Sequence, residues 1–106
     1  EKNKTFINLF KDLKSPVILV AGNYLGTISH TLSAINNLIN YNVDIINVVF
    51  NEGNKIDKNY YDNLELLKSS IKSKILIRCL SNNTDLHNDQ VSKIVNDILR
   101  YFKKMA

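Results

Sequence analysis

The chain has 106 residues, of which 44% are hydrophobic, 8% aromatic and 23% charged, with a formal net charge of +4 at pH 7. That is the composition of one folded domain or part of one, and it excludes a disordered tail. The longest apolar runs, Pro16 to Gly22 and Val48 to Phe50, are far shorter than the roughly 20 residues of a membrane-spanning helix, so a soluble protein without a membrane partner is expected.

From Thr5 to Leu13 the residues Phe6, Leu9, Phe10 and Leu13 keep a three-and-four spacing, which predicts a short helix stopped by Pro16. Val17 to Val20 is apolar without alternation, as in a strand covered on both faces of a parallel sheet, and Gly22-Asn23 closes it. Between Ile28 and Asn40 the residues Ile28, Leu32, Ile35, Leu38 and Ile39 predict a helix with Thr27 or Ser29 as its cap and Asn42 as its stop. Val43 to Phe50 predicts a second buried strand, ending in the polar loop Asn51 to Asn54. Tyr60, Leu64, Leu67 and Ile71 form a third helical stripe, followed by a strand over Lys74 to Cys79 and a polar loop over Ser81 to Asn88. A last helix carries Val91, Ile94, Val95, Ile98 and Phe102, with Arg100, Lys103 and Lys104 near its C-terminus to complement the helix dipole.

This alternation predicts the α/β class, with right-handed crossovers in a parallel sheet. Residues 1–106 read as a single α/β unit without repeat or linker. Three strands are few for a free-standing sheet, and the chain opens on Glu1, so a partial domain is expected. The lone Cys79 allows no intrachain disulfide or zinc site and points to a reducing cytoplasm. The lysines are scattered from Lys2 to Lys104 with few aromatics among them, so nucleic acid is not an expected partner.

Ligands of such sheets bind outside the carboxyl ends of the strands, here Ala21 to Ser29, Asn51 to Asn54 and Leu80 to Asn83. The first of these loops leads into a helix N-terminus, whose free N–H groups and positive dipole end suit a carboxylate or phosphate, and Gly26 permits close approach. Thr27 and Ser29 serve equally well as plain helix caps. His30 has no second ligand three or four residues away, so a packed or capping histidine is expected, and His87 reads as solvated. Asn51 offers a donor and an acceptor in one plane, suited either to a purine edge or to a turn. Asp57, Asp62 and Glu65 read as a solvated helix face, not a magnesium site, and no G-x-x-x-x-G-K-[ST] motif occurs. No metal ligand and no catalytic residue is assigned in this chain.

The segment Ser15-Pro-Val-Ile-Leu-Val-Ala-Gly-Asn-Tyr-Leu-Gly-Thr-Ile-Ser-His-Thr-Leu32 closely resembles dethiobiotin synthetases, which have a Pro-Val-Ile-Leu-Val strand followed by a Tyr/Lys-Leu-Gly-Ser/Cys-Ile-Asn-His turn. Ile46 to Glu52 looks like the family's strand that ends in an asparagine, and Ile75 to Leu80 like its short strand before the last nucleotide loop. The resemblance covers nearly the whole chain but only the C-terminal half of the family's domain. It implies a P-loop-type doubly wound fold and an ATP-dependent cyclo-ligase of biotin biosynthesis, in which 7,8-diaminopelargonic acid and CO2 close to the cyclic urea with ATP and Mg2+. Tyr24, Leu25, Gly26, Thr27, Ile28 and Ser29 would form the substrate-carboxylate loop, which in the family reaches across a homodimer interface. Asn51 would contact adenine, with Leu80, Ser81 and Asn82 beside the nucleotide.

Two departures stand out: the family usually has Asn at the position of Ser29, and commonly Gly-Glu/Arg-Ile-Pro where this chain has Ile77 to Ser81. The half that carries the Walker lysine, the Mg2+ ligands and the carbamate lysine is not represented, so this chain alone is expected to be inactive. The rival expectations are a degenerate, non-catalytic α/β interaction module and another member of the same superfamily, such as a cobyrinic-acid amidating enzyme or a partition ATPase. The Tyr24-to-His30 turn argues against the last.

Overall fold

A computed structural model describes residues 15–24, 26–53, 60–71, 74–81 and 84–106. The helix expected over Thr5 to Leu13, together with Leu25, Asn54, Asp57, Asn82 and Asn83, lies outside the described residues. Strands β1 (Val17–Gly22), β2 (Ile45–Asn51) and β3 (Ile77–Leu80) alternate with helices α1 (Thr27–Asn40), α2 (Tyr60–Ser70) and α3 (Thr84–Met105). The sheet is parallel throughout, in the order β1-β2-β3. The α/β class read from the sequence is therefore the observed one.

Each connection moves one strand further in the same direction, so right-handed crossovers put α1 and α2 together on one face. Ala21 of β1, Val48 and Phe50 of β2, Ile35 of α1, and Tyr60, Leu64 and Leu67 of α2 form the core on that face. The Tyr60 ring stacks on Phe50 at 5.1 Å, and its hydroxyl donates to the Phe50 carbonyl at 3.2 Å. This contact ties the start of α2 to the end of the central strand.

The end of α1 shows how the chain is turned into β2. Asn42 stands at φ 58°, the left-handed conformation that asparagine tolerates better than most residues. Its N–H donates to the Ile39 carbonyl at 3.0 Å and that of Val43 to the Leu38 carbonyl at 2.9 Å, while Val43 and Leu38 are both buried. This is a Schellman closure with its hydrophobic contact, as the expected stop at Asn42 requires.

The sequence expectations need four corrections. β2 runs from Ile45 through Asn51, not Val43 to Phe50, because Asn51 still pairs in register with Gly22 and Leu80. β3 begins at Ile77, not Lys74, and ends one residue later than expected, although the Leu76 carbonyl already accepts from Val48 N–H. Most of the polar loop expected over Ser81 to Asn88 is helix: α3 starts at Thr84, with Asp85 in its first turn favouring the positive dipole end. In α1 the buried stripe is Thr27, Thr31, Ile35 and Leu38, whereas Ile39 is 45% exposed.

On the opposite face a single buried carboxylate holds α3. Asp97 is 3% exposed; it accepts from Arg78 Nε at 2.6 Å and Nη2 at 2.7 Å, and from Asn47 Nδ2 at 2.8 Å. Tyr101 adds a hydrogen bond of 2.7 Å to Asp44, just ahead of β2. The bidentate Arg78 contact, with help from Asn47, holds the Asp97 carboxyl below the usual carboxylate range against the opposing effect of burial. Replacing Asp97 by Asn should therefore cost about 3 kcal/mol at pH 7 in urea unfolding, by leaving Arg78 without its anion. A lowered folded-state pKa gives stability that is complete above the unfolded value of about 3.9 and is lost as pH falls below it. The acid limb of the wild-type stability curve should accordingly be steeper than that of Asp97→Asn.

Candidate functional site

Gly22, Asn51 and Leu80 stand side by side across the sheet, because the register pairs Gly22 with Asn51 and Asn51 with Leu80. With strands about 4.8 Å apart, the three chain segments singled out in the sequence leave the sheet within about 10 Å of one another on a single rim. The Glu52 N–H donates to the Leu80 carbonyl at 2.9 Å and continues the ladder past the end of β2.

The turn from β1 into α1 is built on Gly26, the helix N-cap, at φ 87° and ψ 0°. A side chain there would be strained by backbone conformation alone, since its Cβ would come no nearer than 3.8 Å to His30. Neither Thr27 nor Ser29 caps the helix through its side chain. Thr27 is the first helical residue, is buried, and donates its hydroxyl back to the Gly22 carbonyl at 2.5 Å. Thr27 N–H is taken by the Tyr24 carbonyl and His30 N–H by the Gly26 carbonyl. Among the described residues this leaves the N–H groups of Ile28 and Ser29 as the open donors of the first turn.

The three helices differ in how they treat their dipoles. α2 has Asp62 in its first turn and Lys68 in its last, and α3 has Asp85, Lys103 and Lys104 in the matching places. α1 has no acidic residue in its first turn and no basic residue in its last. Its positive end at the rim is therefore not neutralised by its own side chains.

Tyr24 is half exposed and packs over Gly22, where a Cβ would lie 3.3 Å from its ring. Its hydroxyl oxygen is 2.9 Å from His30 Nδ1, so His30 partners Tyr24 on the surface instead of packing inward or capping. Asn63 of α2 donates to Asn23 Oδ1 at 3.0 Å and anchors the same turn, while Asn23 Nδ2 is a buried donor without a partner among the described residues. The remaining rim residues are more committed. Asn51 Oδ1 accepts from Gly53 N–H at 3.1 Å, which is the turn-forming role, and its Nδ2 has no partner among the described residues. Ser81 is buried and spends both its N–H, at 2.8 Å, and its hydroxyl, at 3.2 Å, on Gln90 Oε1 of α3. Beneath the rim, burial, then Cys79, and more weakly Glu52, push the Tyr60 phenol above its ordinary range, so it stays a neutral donor.

Sequence reasoning thus names the turn, Asn51 and the Leu80 loop, and the structure brings their described parts to one rim. It misses Asn23, His30 as a partner of Tyr24, Asn63 and Gln90. Only the Tyr24-to-His30 spacing of six gave any local signal; Asn23 and Asn63 are 40 residues apart, and the nine-residue spacing of Ser81 and Gln90 matches no recognisable pattern. Among the described residues no group of three or more His, Cys, Asp or Glu stands close enough to hold a metal ion, and no helix is long and apolar enough to cross a membrane.

Residues 1–90 match the model of a family described as AAA domain. The ATP-dependent dethiobiotin synthetase BioD of Clostridium kluyveri is 33% identical over 90 residues, covering 85% of this chain and 36% of the relative. That of Clostridium acetobutylicum is 36% identical over 74 residues, covering 68% of this chain and 30% of the relative. The Methylobacterium nodulans enzyme of the same name reaches 52% identity over a shorter stretch of 42 residues, covering 40% of this chain and 19% of that enzyme. The chain spans about a third or less of the length of these curated relatives.

Two substitutions test the turn. Gly26→Ala should destabilise the chain by about 1 to 2 kcal/mol through its positive φ alone, and an unchanged urea midpoint would contradict the left-handed N-cap. Thr27→Val should cost about 1 kcal/mol by removing the hydroxyl bond to Gly22 while keeping the shape of the side chain.

Proposed function

The chain belongs to the AAA domain family, a P-loop class, and we propose that it is the C-terminal part of a dethiobiotin synthetase-like, ATP-dependent ligase. The reaction is ring closure: one amine of 7,8-diaminopelargonic acid takes up CO2 as a carbamate, ATP phosphorylates the carbamate oxygen, and the second amine attacks that carbon and expels phosphate. Within this scheme the chain supplies binding and orientation, not phosphoryl chemistry. The observation that carries the reading is the alignment of Gly22, Asn51 and Leu80 on one rim beside the uncompensated N-terminus of α1.

The open N–H groups of Ile28 and Ser29 suit the substrate carboxylate, with Gly26 permitting close approach and Tyr24 and Thr27 shaping the turn; Leu25 belongs to the same proposed loop. Backbone recognition of this kind tolerates serine where relatives have asparagine. Asn51 uses one lone pair of Oδ1 on Gly53; among the described residues nothing takes the other lone pair or Nδ2, and both suit an adenine edge. Leu80, Ser81 and Asn82 flank the nucleotide; Ser81 acts there by fixing the loop to Gln90, its donors being spent. The chain has no P-loop sequence to cradle a triphosphate. Its described residues form no cluster that fits Mg2+. Both the phosphate-binding groups and the Mg2+ ligands belong to the portion of the protein outside this chain, and the chain alone should not hydrolyse ATP. A homodimer in the cytoplasm, with the Tyr24 turn reaching toward the partner, completes the proposal.

Calorimetric titration of ATP into protein reconstituted with that portion tests the base site. Asn51→Ala should weaken ATP by about tenfold, the loss of one or two buried hydrogen bonds, and unchanged affinity would refute the assignment. In a steady-state assay Gly26→Leu should raise the KM for the diamine well beyond that for ATP, and equal effects on the two would remove the carboxylate loop from the scheme.

A further inference from the structure

The side chain that faces the Gly26 turn from within α1 is His30. It is the fourth residue of the helix, and because Cα–Cβ bonds tilt toward a helix N-terminus, its ring is carried back over the cap. A Cβ built on Gly26 would lie 3.8 Å from His30 Cε1 and 4.0 Å from Nε2. The Cε1–Nε2 edge of the imidazole thus lies beside the space that a side chain on the N-cap residue would fill. In most helices such a side chain sets an oxygen over the N–H groups of the second or third helical residue, here Ile28 and Ser29. Gly26 has none, and both N–H groups are without an acceptor among the described residues.

The other edge of the ring is engaged. Tyr24 Oη is 2.9 Å from His30 Nδ1, and the two rings meet at a centroid distance of 5.6 Å and an angle of 42°. Tyr24 is itself held in place: its ring lies over Gly22, where a Cβ would come within 3.3 Å, and its carbonyl accepts from Thr27 N–H at 3.2 Å. A phenol is a strong donor and a weak acceptor, because its lone pair is delocalised into the ring, whereas the bare nitrogen of a neutral imidazole is a strong acceptor. The 2.9 Å contact therefore favours Tyr24 O–H donating to Nδ1, which leaves the proton of the neutral ring on Nε2. Among the described residues Nε2 has no hydrogen-bond partner and His30 is in no ion pair.

We infer that Tyr24 holds neutral His30 in the Nε2–H tautomer, and that this N–H is a third donor, beside those of Ile28 and Ser29, for a ligand carboxylate. The inference rests on the proposed carboxylate loop and adds to it a side chain that selects the ligand. A carboxylate has two acceptor oxygens, one for the backbone N–H pair and one for the imidazole. The opposite tautomer would turn a lone pair on that second oxygen, so the Tyr24 bond decides between attraction and repulsion. A carboxamide, which has one acceptor oxygen and an NH2 group, would set its own donors against one of the three and is rejected. Gly26 serves the arrangement twice, since its positive φ makes the turn and its missing Cβ leaves the imidazole edge open. Tyr24 acts through His30 and is a positioning residue; His30 makes the contact.

The test uses nitrogen-15 NMR of the intact 106-residue chain with His87→Gln, so that His30 is the single histidine. The neutral ring should show the Nε2–H signature, and Tyr24→Phe should let the Nδ1–H form appear. Butyrate is then titrated in, with butyramide as the uncharged control. Butyrate should move the amide signals of Ile28 and Ser29 and the Nε2 signal of His30 with one common Kd, and butyramide should move none of them. His30→Ala should raise that Kd by about tenfold, the loss of one hydrogen bond to a charged group, and His30→Gln, whose amide keeps an N–H at similar reach, should restore most of the affinity. Tyr24 and His30 are both exposed, so these variants should unfold close to the wild-type urea midpoint. A wild-type ring in the Nδ1–H form, amide shifts without a shift at His30, equal affinity in His30→Ala, or no butyrate binding would each overturn the inference. Binding that depends on His30 in a protein that forms no cyclic urea after reconstitution would leave the inference standing and remove the proposed function instead. Ring closure sensitive to Gly26→Leu but indifferent to His30→Ala would do the reverse.

Discussion

The carboxylate of Asp97 is the interaction on which the layering of this protein depends. α1 and α2 are held to their face of the sheet by ordinary apolar packing around Phe50 and Tyr60. α3 is not: it touches β2 and β3 through a buried charge gripped by a guanidinium and a carboxamide, and most of its apolar side chains remain exposed. A buried ion pair contributes little net stability compared with well-packed hydrophobic residues, but removing one partner is costly. What such a pair adds is position. Two parallel bonds from Arg78 and a third from Asn47 specify where along the helix, and in which rotation, α3 meets the sheet.

That fixed position is transmitted to the rim. Gln90 lies seven residues before Asp97, two turns of helix, and so on the same side of α3. There it receives both donors of Ser81 and sets the path of the chain as it leaves β3. Asn63 does the corresponding work for Asn23 from α2, and the Schellman closure at Asn42 sets the entry into β2. The rim is therefore shaped by polar contacts from helices behind it, while the parallel register brings its three strand ends together.

The strands and helices were legible because their signals are local. Val17 to Val20 and Val48 to Phe50 are apolar runs of strand length, although only the second is buried and Val20 is largely exposed, and the spacing of Tyr60, Leu64 and Leu67 belongs to a helix whatever its neighbours are. The start of α3 was hidden by its first two turns, which are almost wholly polar and take their order from the Ser81 contact and not from an apolar stripe. Asn47 was equally opaque: in the run Ile-Ile-Asn-Val-Val it reads as an interruption, and its meaning lies in Asp97, 50 residues away. At the site, the choice of residues followed from the Tyr24-to-His30 motif and from strand ends. The division of labour among them did not, because whether Thr27 caps a helix or bonds backward to Gly22 depends on the φ angle of Gly26.

The electrostatics of α1 give that division a direction. An acidic residue near a helix N-terminus is worth about 0.3 to 1 kcal/mol, and both α2 and α3 have one. α1 forgoes it at the end that opens on the rim: its N-cap is Gly26, which has no side chain, and Thr27 bonds to Gly22. Among the described residues the turn thus keeps two N–H donors without an acceptor and an unneutralised dipole directed to the same place, both of them properties of the backbone. A site made from backbone survives substitution of its side chains as long as Gly26 holds its conformation.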